Sequence, residues 1–142
     1  MATLERAILI ASQAHQGQTD HMGMPYILHP FRVMLTTQTP SEMTVAVLHD
    51  VVEDTDWTLE DLAKEGFSQE VLLAVDVLTH RDEDSYEQYI EKVRHNSLAV
   101  SVKLADLKDN MNITRIKNLQ DKDLERMKRY HKAWFELIKD NR

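Results

Sequence analysis

The chain has 142 residues, of which 24 are acidic and 17 basic, so its formal net charge is −7, and it has no cysteine. Disulfide scaffolds, thiolate metal sites and cysteine nucleophiles are therefore excluded. The acidic balance argues against a protein that coats nucleic acid, because phosphate backbones are bound by clustered Lys and Arg. A small phosphorylated ligand remains compatible with this charge where the site itself supplies positive charge.

Only three glycines and three prolines occur in the chain. Sheet-rich domains need many tight turns, so this composition favours helices. No apolar run approaches the ~18 residues of a membrane span, and the N-terminus lacks the pattern of a signal peptide. We expect one all-α domain over residues 1–142, in a cytoplasmic protein that binds no membrane and no nucleic-acid polymer.

Apolar periodicity predicts about seven or eight helices, separated by short polar segments. We expect Pro30 to open the second helix, after a turn that contains His29, and Ser41 to cap the third. Ser68 and either Asp56 or Thr58 are predicted caps further along the chain. The predicted helices span approximately residues 4–17, 30–37, 42–54, 58–66, 69–78, 84–96, 98–111 and 123–138.

The third predicted helix is apolar almost all round, which is typical of a central, buried helix. For the last helix, the predicted buried stripe consists of Leu124, Met127, His131, Trp134, Phe135 and Ile138.

The third helix nevertheless ends in a charged cluster formed by His49, Asp50, Glu53 and Asp54. Glu53 follows His49 by four residues and Asp54 follows Asp50 by four, so each pair shares a helix face. Three carboxylates this close repel one another, and acids are disfavoured near a helix C-terminus. A divalent cation relieves both costs, so we favour a metal site over a solvated acidic helix end.

Asp106 is a second anomaly, because apolar residues flank it on an otherwise buried helix. A buried carboxylate needs a partner. A salt bridge to Lys103 and a role as metal ligand, with Asn110 one turn later facing the same pocket, remain equally open from the residues alone.

The other chemistry-bearing residues support simpler interpretations. A lone histidine before a proline, as at His29, is more often a packing or loop residue than a ligand, and His15 and His131 lie on apolar faces typical of core histidines. No serine stands in a glycine-flanked nucleophile turn, and no glycine-rich phosphate loop occurs.

Four sequence blocks, in this order along the chain, resemble the HD-domain metal-dependent phosphohydrolases, and within them the hydrolase domain of RelA/SpoT-type proteins. The blocks are AHQGQ at 14–18, PYILHP at 25–30, LHDVVEDT at 48–55 and VKLAD at 102–106. The resemblance covers most of the chain and leaves no room for a synthetase domain. It therefore implies a helical bundle, with a metal site between helices, like that of the small, stand-alone alarmone hydrolases.

The resemblance also implies roles for individual residues. Glu53 and Asp54 match the pair that positions and deprotonates the attacking water. The family's usual ion is manganese, and two imidazoles with two carboxylates also suit iron, cobalt or zinc. The implied metal ligands are His29, His49, Asp50 and Asp106. The implied substrate-binding residues are Lys103, Asn110, Tyr130 and His21.

The implied reaction removes the 3′-pyrophosphate of guanosine tetra- or pentaphosphate and leaves GDP or GTP. One departure from the family concerns this substrate: Asp20 and His21 stand where the family usually has Arg and Lys. Two alternatives therefore stay open. One is hydrolysis of another phosphorylated nucleotide, such as a 2′- or 3′-phosphate, and the other is a ligand-sensing module without catalysis. No oligomeric state is assigned.

Overall fold

A computed structural model describes residues 1–139 as an all-α protein, as the composition predicts. Residues 140–142, the end of the predicted domain, lie outside the described residues. Within the described part, extended pairing is limited to one isolated bridge between Thr19 and Pro25. The helices are α1 (Leu4–Ala14), α2 (Leu28–Thr36), α3 (Pro40–Leu48), α4 (Val51–Asp54), α5 (Leu59–Glu65), α6 (Gln69–Leu78), α7 (Tyr86–Arg94), α8 (Ser97–Asn110) and α9 (Asp121–Ile138), with a 3₁₀ turn at Ile113–Arg115.

Helix α3 is the central element, as its apolar sequence predicts. Five consecutive residues from Thr44 to Leu48 are buried, and the helix contacts α1, α2, α6 and α8. The predicted cap at Ser41 is wrong. Thr39 caps the helix instead, because its hydroxyl accepts from the Glu42 backbone N–H while the Glu42 carboxylate accepts from the Thr39 N–H. This capping box leaves Pro40 at the first helical position, where it has no hydrogen bond to lose.

Helix α2 begins two residues before the predicted start at Pro30. A proline is tolerated in the first turn, because the N–H groups there have no intrahelical partner. As a result His29 lies in a helix and not in a turn, and it is 8% exposed. Its side chain is thus fixed by the first turn of α2.

The third predicted helix is in fact two helices. The chain leaves α3 after Leu48, turns at His49 and Asp50, and resumes as the short helix α4. His49 and Asp50 keep right-handed helical backbone angles, so the interruption is slight. Both side chains therefore lie at the junction, next to the buried centre of the molecule.

The predicted buried stripe of α9 is wrong for three of its six residues, whereas Met127, Trp134 and Ile138 are half-buried. Leu124 and Phe135 are 45% and 49% exposed, and His131 is exposed too. Helix α9 packs mainly on α7 and α8, so a narrow strip of it is covered. The buried residues of that strip are Asp123, Ala133 and Leu137.

The predictions for other local features are mostly correct. Thr58 and Ser68 cap α5 and α6, and Gly66 ends α5 with φ +95°, a conformation that glycine adopts without strain. His15 is buried, as expected of a core histidine. None of the helices in residues 1–139 combines the length and the apolar character that crossing a bilayer requires.

Candidate metal centre

A cleft of about 1430 Å³ opens beside the α3–α4 junction. Helices α2, α4, α8 and α9 and the loop after α1 contribute its walls. The eight residues predicted to bind metal or substrate, together with Glu53 and Asp54, all line it. The structure therefore brings every predicted site residue to one cleft, although their positions span more than 100 residues of sequence.

The two histidines and two aspartates predicted as ligands converge within a few ångströms. His29 Nε2 lies 2.8 Å from Asp106 Oδ1 and 3.8 Å from Asp50 Oδ2. His49 Nε2 lies 3.2 Å from Asp50 Oδ2 and 3.4 Å from Asp106 Oδ1. One ligand atom each from His29, His49 and Asp50 lies within 4.8 Å of the others, a separation that a single ion can bridge.

The imidazole of His49 shows that this cluster fits a cation. Its Nδ1 lies in hydrogen-bonding range of the Ala46 carbonyl, which only accepts, so Nδ1 carries the proton. In the neutral ring Nε2 is then a lone-pair donor to metal, and it is buried without a hydrogen-bond partner among the described residues. An orphaned buried nitrogen directed at two carboxylates is suited to a metal ion.

The imidazole of His29 is oriented in a similar way. Its Nδ1 lies 2.7 Å from Asp109 Oδ2, so Nε2 points toward Asp106 and Asp50. Burial opposes the charged ring, but the hydrogen bonds to Asp106 and Asp109 outweigh it and raise the pKa of His29 to about 10. The carboxylates thus favour a positive charge at Nε2, and a metal ion competes with the proton for that position.

Asp106 makes the salt bridge to Lys103 that the sequence left open, and its other carboxylate oxygen faces a predicted metal ligand. Its Oδ2 accepts from Lys103 Nζ at 2.8 Å, and its Oδ1 lies 2.8 Å from His29 Nε2. Both members of the Asp106–Lys103 pair are almost fully buried. Burial raises the pKa of the carboxyl, but the Lys103 ammonium outweighs this and holds that pKa well below its usual range. Asp106 is therefore an anion with one oxygen directed at the candidate metal centre.

Asp50 is fixed by a residue from the loop before α2. The Tyr26 hydroxyl donates to Asp50 Oδ2 at 2.6 Å, and Tyr26 is three residues before His29 in the PYILHP block. Burial, followed by the charge of Asp50, raises the pKa of Tyr26, so the phenol remains a donor. Sequence reasoning assigned Tyr26 to a turn and missed this contact.

Glu53 and Asp54 extend the cluster toward solvent on α4. One carboxylate oxygen each from Asp50, Glu53 and Asp54 lies within 4.8 Å of the others. Partial burial, and then the charge of Asp50, raise the pKa of both Glu53 and Asp54; for Glu53, the hydrogen bond from the His80 backbone N–H opposes the shift. A carboxylate with a raised pKa is a better proton acceptor at neutral pH.

The predicted substrate residues differ in how free their side chains are. Lys103 is bound to Asp106, and Asn110 Nδ2 lies 3.3 Å from the same carboxylate. His21 lies exposed in the loop after α1, while Tyr130 contributes to the α9 wall.

Asp20 stabilises its loop through hydrogen bonds to backbone groups. Its Oδ1 accepts from the backbone N–H groups of Met22 and Met24, at 2.8 and 3.0 Å. The Asp20 N–H also donates to the Met24 carbonyl, and Gly23 has φ +78°. The carboxylate that replaces a family cation therefore stabilises a tight turn, and part of its charge is directed at backbone N–H groups.

Asp109 is a site residue that sequence reasoning did not identify. Besides His29, it binds the Arg32 side chain at 2.9 Å and lies 3.3 Å from Arg115. The only sequence signal is its position three residues after Asp106, which places both carboxylates on one side of α8.

Comparisons with known proteins identify relatives of this chain. No protein-family model matches the chain. It is 33% identical over 134 residues to the guanosine-3′,5′-bis(diphosphate) 3′-pyrophosphohydrolase of Borreliella burgdorferi, covering 82% of this chain and 20% of that protein. It is 35% identical over 125 residues to a GTP pyrophosphokinase of Streptomyces coelicolor, covering 79% of this chain and 15% of that protein.

The bifunctional (p)ppGpp synthase/hydrolase SpoT of Escherichia coli is 33% identical over 123 residues, covering 76% of this chain and 17% of SpoT. The chain therefore spans a fifth or less of the length of these curated relatives. A solved structure described as a metazoan ortholog of SpoT that hydrolyses ppGpp superposes with a TM-score of 0.78 at 26% identity, over all of this chain and 86% of the other.

The helical fold and the clustered His and Asp side chains are those of the HD-domain class. Within that class, the chain belongs to the RelA/SpoT-like family. The His29, His49 and Asp50 group can hold a metal ion.

Proposed function

We propose that this chain is a metal-dependent phosphohydrolase that removes the 3′-pyrophosphate of guanosine 3′,5′-bis(diphosphate), and that residues 1–142 form a single hydrolase domain. One observation carries the proposal. The orphaned Nε2 of buried His49 is directed at two carboxylates, and Glu53 and Asp54 lie one turn further along, in a cleft large enough for a nucleotide.

In this proposal His29, His49, Asp50 and Asp106 hold the cation, with Mn²⁺ as the ion. Two neutral imidazoles and two carboxylates form a mixed nitrogen and oxygen set that suits this metal. When bound, a divalent cation lowers the pKa of water and offsets the charge of phosphoryl oxygens.

The chain's own residues supply the proton transfer. Glu53 accepts a proton from the attacking water, which its raised pKa favours, and Asp54 helps to orient that water. The water oxygen forms a bond to the phosphorus next to the 3′-oxygen, and the bond between that phosphorus and the 3′-oxygen breaks. The 3′-oxygen takes up a proton from solvent as it leaves, so the products of guanosine 3′,5′-bis(diphosphate) are pyrophosphate and GDP.

Four residues contact the substrate in this proposal. Lys103 faces the phosphoryl group from beside Asp106, where its ammonium offsets the negative charge that develops. Asn110, Tyr130 and His21 contact the rest of the nucleotide from other parts of the cleft.

A panel of nucleotides tests the proposal. Purified protein is loaded with Mn²⁺ and incubated with guanosine 3′,5′-bis(diphosphate), with 2′- and 3′-monophosphorylated nucleotides, and with nicotinamide dinucleotide phosphate. We expect pyrophosphate and GDP from the first substrate, with ¹⁸O from labelled water appearing in the pyrophosphate. A metal-loaded protein that hydrolyses no nucleotide of the panel contradicts an enzymatic function on these substrates.

A second candidate is a phosphomonoesterase that acts on a 2′- or 3′-phosphorylated nucleotide. The loop with Asp20 and His21 favours it, because this loop lacks the cations that the family usually presents to a polyphosphate. Release of inorganic phosphate from a monophosphorylated member of the panel, without pyrophosphate from the tetraphosphate, selects this candidate over the first.

A further inference from the structure

The hydroxyl of Tyr86 is an unexplained polar group in the cleft. Tyr86 is the first residue of α7 and lines the cleft, and its Oη is buried without a hydrogen-bond partner among residues 1–139. The neighbouring Tyr89, by contrast, donates its hydroxyl to the Leu78 carbonyl at 2.8 Å. A buried hydroxyl without a partner is costly, and a ligand in the cleft that accepts its hydrogen bond removes that cost.

The surroundings of this hydroxyl are cationic. The Arg129 guanidinium lies over the Tyr86 ring at 5.1 Å and over the Tyr130 ring at 5.6 Å. In the part of the chain that the structure describes, Arg129 forms no ion pair, and the two aromatic rings are its recorded contacts. A hydroxyl donor beside a guanidinium that has no carboxylate partner in residues 1–139 is suited to an anionic acceptor.

The position of Tyr86 and Arg129 relative to the candidate metal centre indicates which anion they bind. Lys103 and Tyr89 connect the two places: Lys103 Nζ binds Asp106 and lies 5.1 Å from the centre of the Tyr89 ring, which lies 5.9 Å from the centre of the Tyr86 ring. Tyr86 on α7 and Arg129 on α9 line the same cleft as the cluster, and the Arg129 guanidinium lies 5.1 Å from the Tyr86 ring. A nucleotide that places one phosphoryl group at the metal centre can therefore place its other phosphates at this pair.

We infer that Tyr86 and Arg129 form a second phosphate-binding subsite, which holds the phosphoryl groups of the nucleotide that are not attacked. The Tyr86 hydroxyl donates to a phosphoryl oxygen, and the Arg129 guanidinium turns from the two rings to bind the same group. The aromatic rings hold the cation near the subsite while no anion is bound. This inference rests on the proposed function for the choice of substrate, but its ligand chemistry is testable without turnover.

The experiment measures binding of GDP, which retains the 5′-diphosphate and has no 3′-group to hydrolyse, to the Mn²⁺-loaded protein by calorimetry. Guanosine, which lacks phosphate, is the comparison ligand. We expect Tyr86→Phe and Arg129→Gln each to weaken GDP binding about tenfold, as loss of a charge-assisted hydrogen bond does, and to leave guanosine binding unchanged.

Matched variants separate this role from a structural one. Lys128→Gln removes a charge from an exposed position of α9 outside the cleft and is expected to change GDP affinity less than twofold. Tyr86→Phe removes a hydroxyl without a partner, so the melting temperature is expected to stay the same or rise. Tyr89→Phe breaks the bond to Leu78 and is expected to lower it.

Failure of the subsite and failure of the proposed reaction give different experimental results. If Tyr86→Phe and Arg129→Gln bind GDP as the wild type does, the subsite is wrong, whatever the protein hydrolyses. Wild-type protein that binds GDP no better than guanosine likewise overturns it. If the panel of nucleotides is not hydrolysed but both variants lose GDP binding selectively, the subsite stands and the proposed reaction fails.

Discussion

The carboxylate of Asp109 is bonded to the imidazole of His29, with 2.7 Å between Oδ2 and Nδ1. This contact fixes which ring nitrogen faces the candidate metal centre. Asp109 also binds the side chain of Arg32 and accepts a hydrogen bond from Arg115 at its backbone carbonyl. Asp109 thus joins a candidate ligand on α2 to the segment that follows α8, through its carboxylate, which also lies 3.3 Å from Arg115, and through its backbone carbonyl.

Replacing Asp109 tests this orienting role. We expect Asp109→Ala to weaken Mn²⁺ binding about 10- to 100-fold, because a metal-bound imidazole loses orientation and basicity without its carboxylate partner. Calorimetric titration of the metal-free protein with Mn²⁺ measures the effect directly. Asp76→Asn, which removes one carboxylate of an exposed pair with Arg81, serves as the charge control and is expected to leave metal affinity unchanged. Equal affinities for Asp109→Ala and wild type contradict the orienting role.

Asp106 is expected to be the most sensitive position for stability as well as for metal binding. Asp106→Ala leaves the Lys103 ammonium buried without its counter-ion, and breaking a buried pair in this way costs about 3–5 kcal/mol. Metal binding is lost in the same variant, because an oxygen 2.8 Å from His29 Nε2 disappears. Urea denaturation and Mn²⁺ titration measure the two effects.

The double variant Asp106→Asn with Lys103→Met separates the effect on stability from the effect on metal binding. It removes both charges of the buried pair and is expected to recover much of the lost free energy of unfolding. It is not expected to recover metal binding. Recovery of both properties shows that Asp106 is a partner of Lys103 alone and contradicts its proposed role as a ligand.

Substitution of Glu53 is expected to lower the rate of catalysis while leaving metal affinity nearly unchanged. Glu53→Gln keeps an acceptor for the His80 backbone N–H but removes the group that accepts the proton. We expect kcat to fall about 10²- to 10⁴-fold, the usual contribution of a general base, with metal affinity within a few-fold of wild type. Pyrophosphate release under saturating Mn²⁺ gives the rate. Undiminished kcat in Glu53→Gln assigns the base to another residue.

The sequence predicted the helices well where the pattern of neighbouring residues determines the structure. The apolar run of α3 identified the central helix, and Gly66 identified the end of α5. The stripe of α9 was misaligned because the exposure of Leu124 and Phe135 depends on how few helices pack against α9. Propensity and periodicity do not contain that information.

In the candidate site, too, the sequence predicted local features but not the contacts between distant residues. The charged cluster after α3 and the isolated Asp106 were visible as polar residues on apolar helices, which conflict with local patterning. The contact between His29 and Asp109 joins residues 80 positions apart, so no local pattern encodes it. The cluster after α3 predicted a metal site from the residues alone, whereas the full set of expected ligands and the expected catalytic pair came from the resemblance. Only tertiary structure supplies the contacts that orient these side chains.

Two substitutions of Asp20 separate the effect of its negative charge from the effect of its hydrogen bonds in the loop beside the cleft. Asp20→Asn keeps an oxygen that accepts from the Met22 and Met24 N–H groups and removes the negative charge. We expect this variant to retain wild-type stability and to lower the KM for a nucleotide polyphosphate, because a repulsive charge is gone. Asp20→Ala loses both hydrogen bonds and is expected to be less stable by about 1 kcal/mol, with a higher KM because the loop is no longer held.

Thermal denaturation and steady-state kinetics of the two variants test this assignment together. If Asn and Ala at position 20 have the same stability and the same KM, the turn does not depend on the carboxylate oxygen. A higher KM in Asp20→Asn, at unchanged stability, instead shows that the negative charge assists binding. That result favours a substrate with a positively charged group near this loop, since only such a ligand gains from an acid in place of the family's cations.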